Sequence, residues 1–452
     1  MTAGQFFKRV MDLYRWLAVK PSGFTTIMTT EETIQPKISE PVFNYAHGRL
    51  LMPGTRYWPM RMWKSPWNLP TYRRGAAVLA GIISGAAAAA WLLGEIPPRI
   101  APFYSMAESY ALSHGVNPFL TQLAWTFIKA ALLLAVPLVN ALFAVWWERK
   151  ISAHIQSRMG PMYVGRWHGC LQTIADGIKL FLKEDVVPEC ADKIVHLLAP
   201  VVVIIPAILA FAPVPFGREL VYADIDIGTI YVFAVGGVSV MGVIMAGWSS
   251  GNKFSLLGGL RAAAQLVSYE LPRTFSVIPV IMLAGTLNIS AIAGFQAGYW
   301  GGILPRWFIF YPVVGQVAFI VFLIASVAET NRVPFDIPEA ESELVAGFNT
   351  EYSGMKFALF FLSEFAYVLL SSLLMAAFFF GGGEPPLPFL GFLPSWAWFL
   401  AKALVIMFCF LWFRWTFPRF RVDRLMDFNW KFLLPVSLLN IAAAGILIWF
   451  LS

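Results

Sequence analysis

The sequence predicts an all-α fold, a bundle of membrane-crossing helices, and two observations carry that prediction. Apolar residues make up 58% of the chain and charged residues only 13%, more apolar surface than one water-soluble core can hide. Apolar stretches of the length that crosses a hydrocarbon layer, about 20 residues, recur at 75–94, 120–146, 195–216, 227–248, 272–292, 307–328, 355–380, 396–413 and 432–451. Nine spans are therefore expected. The segments between them are rich in Pro, Gly and charge, as connections in a membrane bundle should be.

Before the first span, Phe6, Phe7, Val10, Leu13, Tyr14 and Leu17 recur at helical spacing beside Lys8, Arg9, Arg15 and Lys20. That pattern suits a helix lying on a membrane or a partner, and a solvated helix equally. Span 75–94 carries Gly81 and Gly85 at a spacing that permits close helix contact. Basic residues then set the orientation. They gather in 1–74, 149–193, 249–273, 329–356 and 414–431, while the alternate loops keep only Arg99, Arg218 and Arg306. By the positive-inside tendency, Met1 to Arg74 forms a cytoplasmic extension and Ser452 lies outside. Lys129 and Lys402 fall within spans, where snorkelling and a buried pairing role both fit.

Composition also excludes function classes. The net charge of +7 is scattered among hydrophobic blocks without the dense basic run that nucleic acid requires. Cys170, Cys190 and Cys409 stand too far apart for an iron–sulfur cluster or a structural zinc, so no metal is expected. Residues 1–74 lack the compact apolar block of a secretory signal. No internal repeat of the kind that builds carriers is visible, nor a nicotinamide fingerprint after a strand.

Chemistry concentrates in loops that are long, charged and still studded with apolar side chains. The first runs from Glu148-Arg149-Lys150 through Arg158 and Asp176 to Glu184, and the second from Gly247-Trp248 through Arg261 to Glu270. The third holds Glu329, Arg332, Phe335, Asp336, Glu339, Glu341, Glu343 and Glu351, with Glu364 shortly after. Acids beside membrane spans are costly unless they share protons, bind cations or face a hydrated cavity. Glu339 and Glu343 are four apart, so on a helix they share a face and are expected to share a proton. Glu270, at the boundary where Leu271-Pro272 opens a span, would continue such a relay. A solvated acidic loop is the plainer reading of these acids, and topology anchoring the plainer one for Arg149, Arg158, Arg261 and Arg332.

Several stretches carry a resemblance: E-R-K at 148–150, Q-x-R-x-G-P at 156–161, L-Q-x-x-A-D-x-x-K-L at 171–180, L-R-A-A-A-Q-x-x-S-Y-E-L at 260–271, and above all E-T-N-R-x-P-F-D-x-P-E-A-E-S-E-L-V-A-G-F-N-T-E-Y-S-G at 329–354, followed by P-R-F-R-x-D-x-L-M at 418–426. Together they resemble the NuoH-type membrane subunit of respiratory complex I, the proton-pumping NADH:quinone oxidoreductase, over roughly 119–452. The resemblance implies eight family spans preceded by one extra, with cytoplasmic loops at 148–194, 249–271, 329–356 and 414–431. It implies a quinone chamber at the junction with the peripheral arm, with Arg149, Arg158, Asp176, Phe335 and Arg421 on the quinone side. Glu270, Glu329, Glu339, Glu341, Glu343 and Glu364 would form the proton relay. It further implies quinone as substrate, NADH, FMN and iron–sulfur clusters on partner subunits, and partners in both the peripheral arm and the membrane arm. The setting would be a bacterial plasma membrane.

Two departures stand out. The run from Arg166 to Gln172 is one residue longer than the family's commonest pattern, which would reshape the quinone entrance, and residues 1–118 are an addition. Two other readings are the related subunit of a membrane-bound hydrogenase-type complex and a free-standing ion carrier; the intact stretch ending N-T-E-Y-S-G favours the quinone enzyme. The topology has a direct test. In intact cells, Ser22→Cys should resist an impermeant thiol reagent applied from outside while Ser113→Cys reacts, and labelling of Ser22→Cys would reverse the assignment.

Overall fold

The computed structural model describes residues 42–44, 49–51, 118–165, 168–217, 221–302, 304–338 and 341–451, and two units separate at residue 80. The first unit shows one antiparallel hairpin, β1 (Val42–Asn44) and β2 (Arg49–Leu51), with Val42 opposite Leu51. The expected span at 75–94, the amphipathic segment before it, and the residues carrying the topology test lie outside the described residues.

The second unit is a helical bundle. Its elements are α1 (Pro118–Ile155), α2 (Gln172–Leu182), α3 (Lys193–Leu209), α4 (Gly228–Ser249), α5 (Lys253–Ala284), α6 (Ile289–Phe295), a short β3–β4 hairpin (Tyr299–Trp300, Leu304–Pro305), α7 (Val314–Glu329), α8 (Glu341–Leu344), α9 (Gly354–Phe379), α10 (Ser395–Thr416), α11 (Val422–Phe428) and α12 (Leu434–Leu451). Among the described residues five helical stretches are long and apolar enough to cross a membrane: α4, α5, α9, α10 and the continuous run Val422–Phe450. The helix α1, 38 residues long, covers the expected span 120–146.

Prolines trim two expected spans. Helix α3 runs through Pro200 and Pro206 and stops at Leu209, ahead of the closely spaced Pro213 and Pro215, and α7 starts at Val314, after Pro312. The opposite happens at α5. Loop 249–271 and span 272–292 were expected as separate pieces, yet 32 residues form one helix that passes straight through Pro272. Proline deprives the carbonyl four residues back of its hydrogen bond. Here that carbonyl belongs to Ser268, and the fully buried Asn429 amide donates to it at 2.6 Å. Asn429 opens a single π-helical turn joining α11 to α12, so the partner comes from 161 residues away.

Side-chain caps set the starts of other helices: Asp192 accepts from Ile194 N and Val195 N at α3, Asn252 from Phe254 N at α5, and Asn288 from Ala291 N at α6. Helix α4 packs on α3 and α5, α7 on α5, and α9 on α1, α3 and α10. A Cβ on Gly247 would lie 3.0 Å from the Gly259 Cα, so α4 and α5 cross at a distance only glycine permits. Helix α9 is the centre of the bundle, with every residue from Phe365 to Phe379 buried. A helix apolar on all sides has no solvent face to offer.

Asn429→Leu should lower stability by about 1–3 kcal/mol, the cost of stranding the Ser268 carbonyl. In the Pro272→Ala background the same change should cost less, because the backbone N–H returns. Thermal unfolding of all four proteins closes the cycle; equal losses in both backgrounds would disconnect Asn429 from the proline.

Candidate functional site

The four charged loops meet at one end of the bundle. Asn252 donates to Glu351 Oε1 at 2.6 Å, Lys356 pairs with Asp185 at 2.8 Å, and Phe420 N donates to Pro334 O at 3.1 Å. Tyr352 stacks on His196 with ring centroids 4.0 Å apart, and its hydroxyl meets Ser249 Oγ at 3.2 Å. Burial pushes the Tyr352 phenol up to about 12, so it stays a neutral hydrogen-bonding partner in this clamp at physiological pH.

Beneath the loops lies a network of buried charge. Helix α7 ends because Thr330 turns its hydroxyl back onto Ser326 O and Val327 O, and because the Gln265 amide donates to Ala328 O at 2.7 Å. The chain then turns through Asn331, whose φ is 49°, and sends Arg332 inward. Arg332 is 1% exposed. Its guanidinium meets Glu148 Oε2 of α1 at 2.6 Å and Glu364 Oε1 of α9 at 3.1 Å, and lies over the Phe365 ring at 4.7 Å. Arg414 of α10 takes the other oxygen of Glu148 at 2.6 Å, and Arg419 holds Asp336 at 2.9 Å. Arg332 was read as a topology anchor in part; the structure makes it the centre of the network.

A cavity of about 60 Å³ adjoins the network, edged by Glu270, Glu329 and Glu364 together with Asn331, Asn349, Ser239, Ser363 and Tyr367. At roughly 10–15 Å³ per probe-sized water it has room for several. Glu329 at the end of α7 pairs with Arg273 of α5, which also reaches Ser371 Oγ at 3.2 Å. A Cβ on Gly237 would come within 2.8 Å of Glu270 Oε1, so that glycine leaves the space the carboxylate occupies. Glu270 was expected at a span boundary; it lies in the middle of α5, facing this cavity.

The structure thus gathers Glu270, Glu329 and Glu364 but not all six acids. Glu343 is at the surface, paired with Arg261 at 2.7 Å. Glu341 belongs to α8, the position of its side chain is not described, and Glu339 lies outside the described residues, so the expected pairing of Glu339 with Glu343 does too. Of the other candidates, Arg149 and Asp176 meet at 2.5 Å. Arg158 donates to Gln156 at 2.6 Å and Arg421 is exposed beside Asp423. Phe335 is buried between Tyr269 and Phe420, at 5.4 and 6.1 Å between ring centroids. Nearby, an apolar recess of about 210 Å³ is lined by Leu257, Leu260, Ile337, Leu425 and Met426, with Arg261 and Gln265 as its polar groups.

Sequence reasoning left Glu148, Arg273, Arg332, Arg414 and Arg419 out of the site. A local signal existed for Arg273, an arginine one residue into an expected span, and for Glu148, at the end of one. Their partners come from distant helices, which local pattern does not disclose.

Comparison with known proteins gives one family and close relatives. The family described as NADH dehydrogenase matches residues 128–445. The H subunit of NADH-quinone oxidoreductase from Anoxybacillus flavithermus is 47% identical over 325 residues, 72% of this chain and 94% of the relative. The proteins of the same name from Bacillus thuringiensis subsp. konkukian and Bacillus anthracis are 47% and 46% identical over 324 residues, again 94% of the relative and 70% of this chain.

Removing the guanidinium at the centre of the network would leave Glu148 and Glu364 short of a partner. Arg332→Gln should cost about 3–5 kcal/mol, as for other buried pairs broken on one side. Replacing both members, as Arg332→Met/Glu364→Met, should recover part of it. Unfolding midpoints in detergent report both; a single variant as stable as the parent would remove the network's structural role.

Proposed function

Because the chain belongs to the NADH dehydrogenase family, in which its relatives are H subunits of NADH-quinone oxidoreductase, we propose that it forms part of the chamber in which quinone is reduced and couples that reduction to proton translocation. It is a membrane subunit of such an oxidoreductase and shares the catalytic task with partner subunits. The observation that carries the finer reading is the cavity edged by Glu270, Glu329 and Glu364, set directly behind a buried arginine network and below four interlocked loops.

Reduction of a quinone to a quinol consumes two electrons and two protons. This chain offers no carrier for the electrons in its sequence motifs, and the reading assigns them to peripheral-arm partners that hold NADH, FMN and iron–sulfur clusters. Its own residues supply the rest. Arg149 with Asp176, Arg158, Phe335 and Arg421 stand on the quinone side, in loops where an apolar tail and a polar headgroup can both be accommodated. Glu343 stands at the surface mouth of the relay, and Glu339 and Glu341 are candidates for it by sequence alone. Glu270, Glu329 and Glu364 continue it inward, where waters in the cavity can pass protons between carboxylates. Arg332 and Arg273 supply the opposite charge that makes buried carboxylates tolerable. The orientation read from the basic residues puts the loops, and the partners that dock on them, on the cytoplasmic side of a plasma membrane.

Glutamine keeps the shape of glutamate and abolishes its titration. Glu270→Gln, Glu364→Gln and Glu343→Gln complexes should assemble, oxidise NADH with an artificial acceptor at the parental rate, and lose quinone reduction and pumping together. Positioned acid–base groups contribute ~10²–10⁴-fold, so a fall of at least about tenfold is expected. Reconstituted vesicles give both rates, and parental pumping in the triple variant would reduce these acids to structural charge.

A further inference from the structure

Lys402 lies in α10, at the end of the bundle opposite the four loops. The helix it serves is α9, whose last turn must find partners for carbonyls that have no intrahelical donor. Gly382 N donates back to Ala376 O at 2.9 Å, and the buried Gln296 amide donates to Ala377 O at 2.9 Å. Gln296 Oε1 in turn accepts from Gly381 N at 3.0 Å. With φ of 66° and 53°, Gly381 and Gly382 turn the chain in a way that L side chains resist.

That turn directs three carbonyls at one point. Lys402 Nζ donates to Phe380 O at 2.6 Å, Gly382 O at 2.8 Å and Glu384 O at 2.6 Å, so each ammonium N–H has an acceptor. The Trp307 ring covers the cation, 4.5 Å from Nζ to the ring centroid. A helix C-terminus carries partial negative charge, which favours a cation at this place. Snorkelling of an ammonium into water does not require three convergent carbonyls and an aromatic face.

We propose that Phe380 O, Gly382 O, Glu384 O and the Trp307 ring form a built binding site for a primary ammonium ion, filled in this chain by its own Lys402, which acts as a positioning residue for the end of α9. The lysine is half-buried, so a small amine can reach the cradle once the side chain is shortened. The inference is independent of the proton route, because its readout is stability and not turnover.

The test is chemical rescue of Lys402→Ala in the assembled complex. The variant should show a several-fold loss of assembled complex and a lowered unfolding midpoint. n-Propylammonium, which replaces the deleted atoms, should recover both in a dose-dependent way, whether added to membranes or during growth. Tetramethylammonium, with the charge but no N–H, should recover neither. Lys402→Arg should assemble with a lowered midpoint, since a planar fork does not match three carbonyls converging on one nitrogen. No loss in Lys402→Ala, a loss that no amine repairs, equal repair by tetramethylammonium, or a parental midpoint in Lys402→Arg would each overturn the proposal.

Discussion

Burying a guanidinium is the constraint on which the rest of the bundle depends. An ion taken from water into a low-dielectric interior must be neutralised by partners in good geometry, or the fold does not bear the cost. Arg332 meets that requirement with Glu148 and Glu364, and Glu148 in turn holds Arg414. Those four residues stand on α1, the turn after α7, α9 and α10. Satisfying one charge therefore fixes four parts of the chain against one another at the level where the loops begin. The cavity beside it follows from that arrangement, because acids held in place by arginine cannot collapse into the space between them.

The same logic of satisfaction runs through the backbone. Pro272 costs α5 a hydrogen bond, and Asn429 returns one to Ser268 O. The last turn of α7 is closed by Gln265, and that of α9 by Gln296 and Lys402. In a bilayer an unmet carbonyl has no water to turn to. Polar side chains of one helix therefore act as the missing donors of another, and each such contact also fixes where two helices meet.

Much of the architecture was legible because hydrophobic length and proline are local signals. The starts and ends of α4, α9 and α10 fall within a few residues of the expected spans. Leu271-Pro272 misled, since a proline is ordinarily a boundary and the amide that rescues this one sits far along the chain. Arg332 misled for the same reason: an arginine between spans reads as an anchor until Glu148 and Glu364 are seen to converge on it. The acids of the third loop were legible as a group, while their division into a surface member, Glu343, and interior members, Glu329 and Glu364, depends on where α7 stops and α9 begins. Lys402 could be read two ways in sequence, and the tie is broken by backbone carbonyls, which no side-chain pattern reveals.

The balance of charge in the arginine–carboxylate network, which runs from the buried Arg332 to the exposed Arg419, has an electrical consequence. Arg332, Arg414 and Arg419 face Glu148, Glu364 and Asp336, and with all six ionised the set sums to zero. A transmembrane voltage exerts no net force on such a set. Uptake of one proton leaves a single positive charge, on which 100 mV acts with ~2.3 kcal/mol for a full crossing of the membrane and proportionally less at partial depth. Under the proton-coupling reading proposed above, occupancy of the network would therefore depend on the voltage across the bilayer.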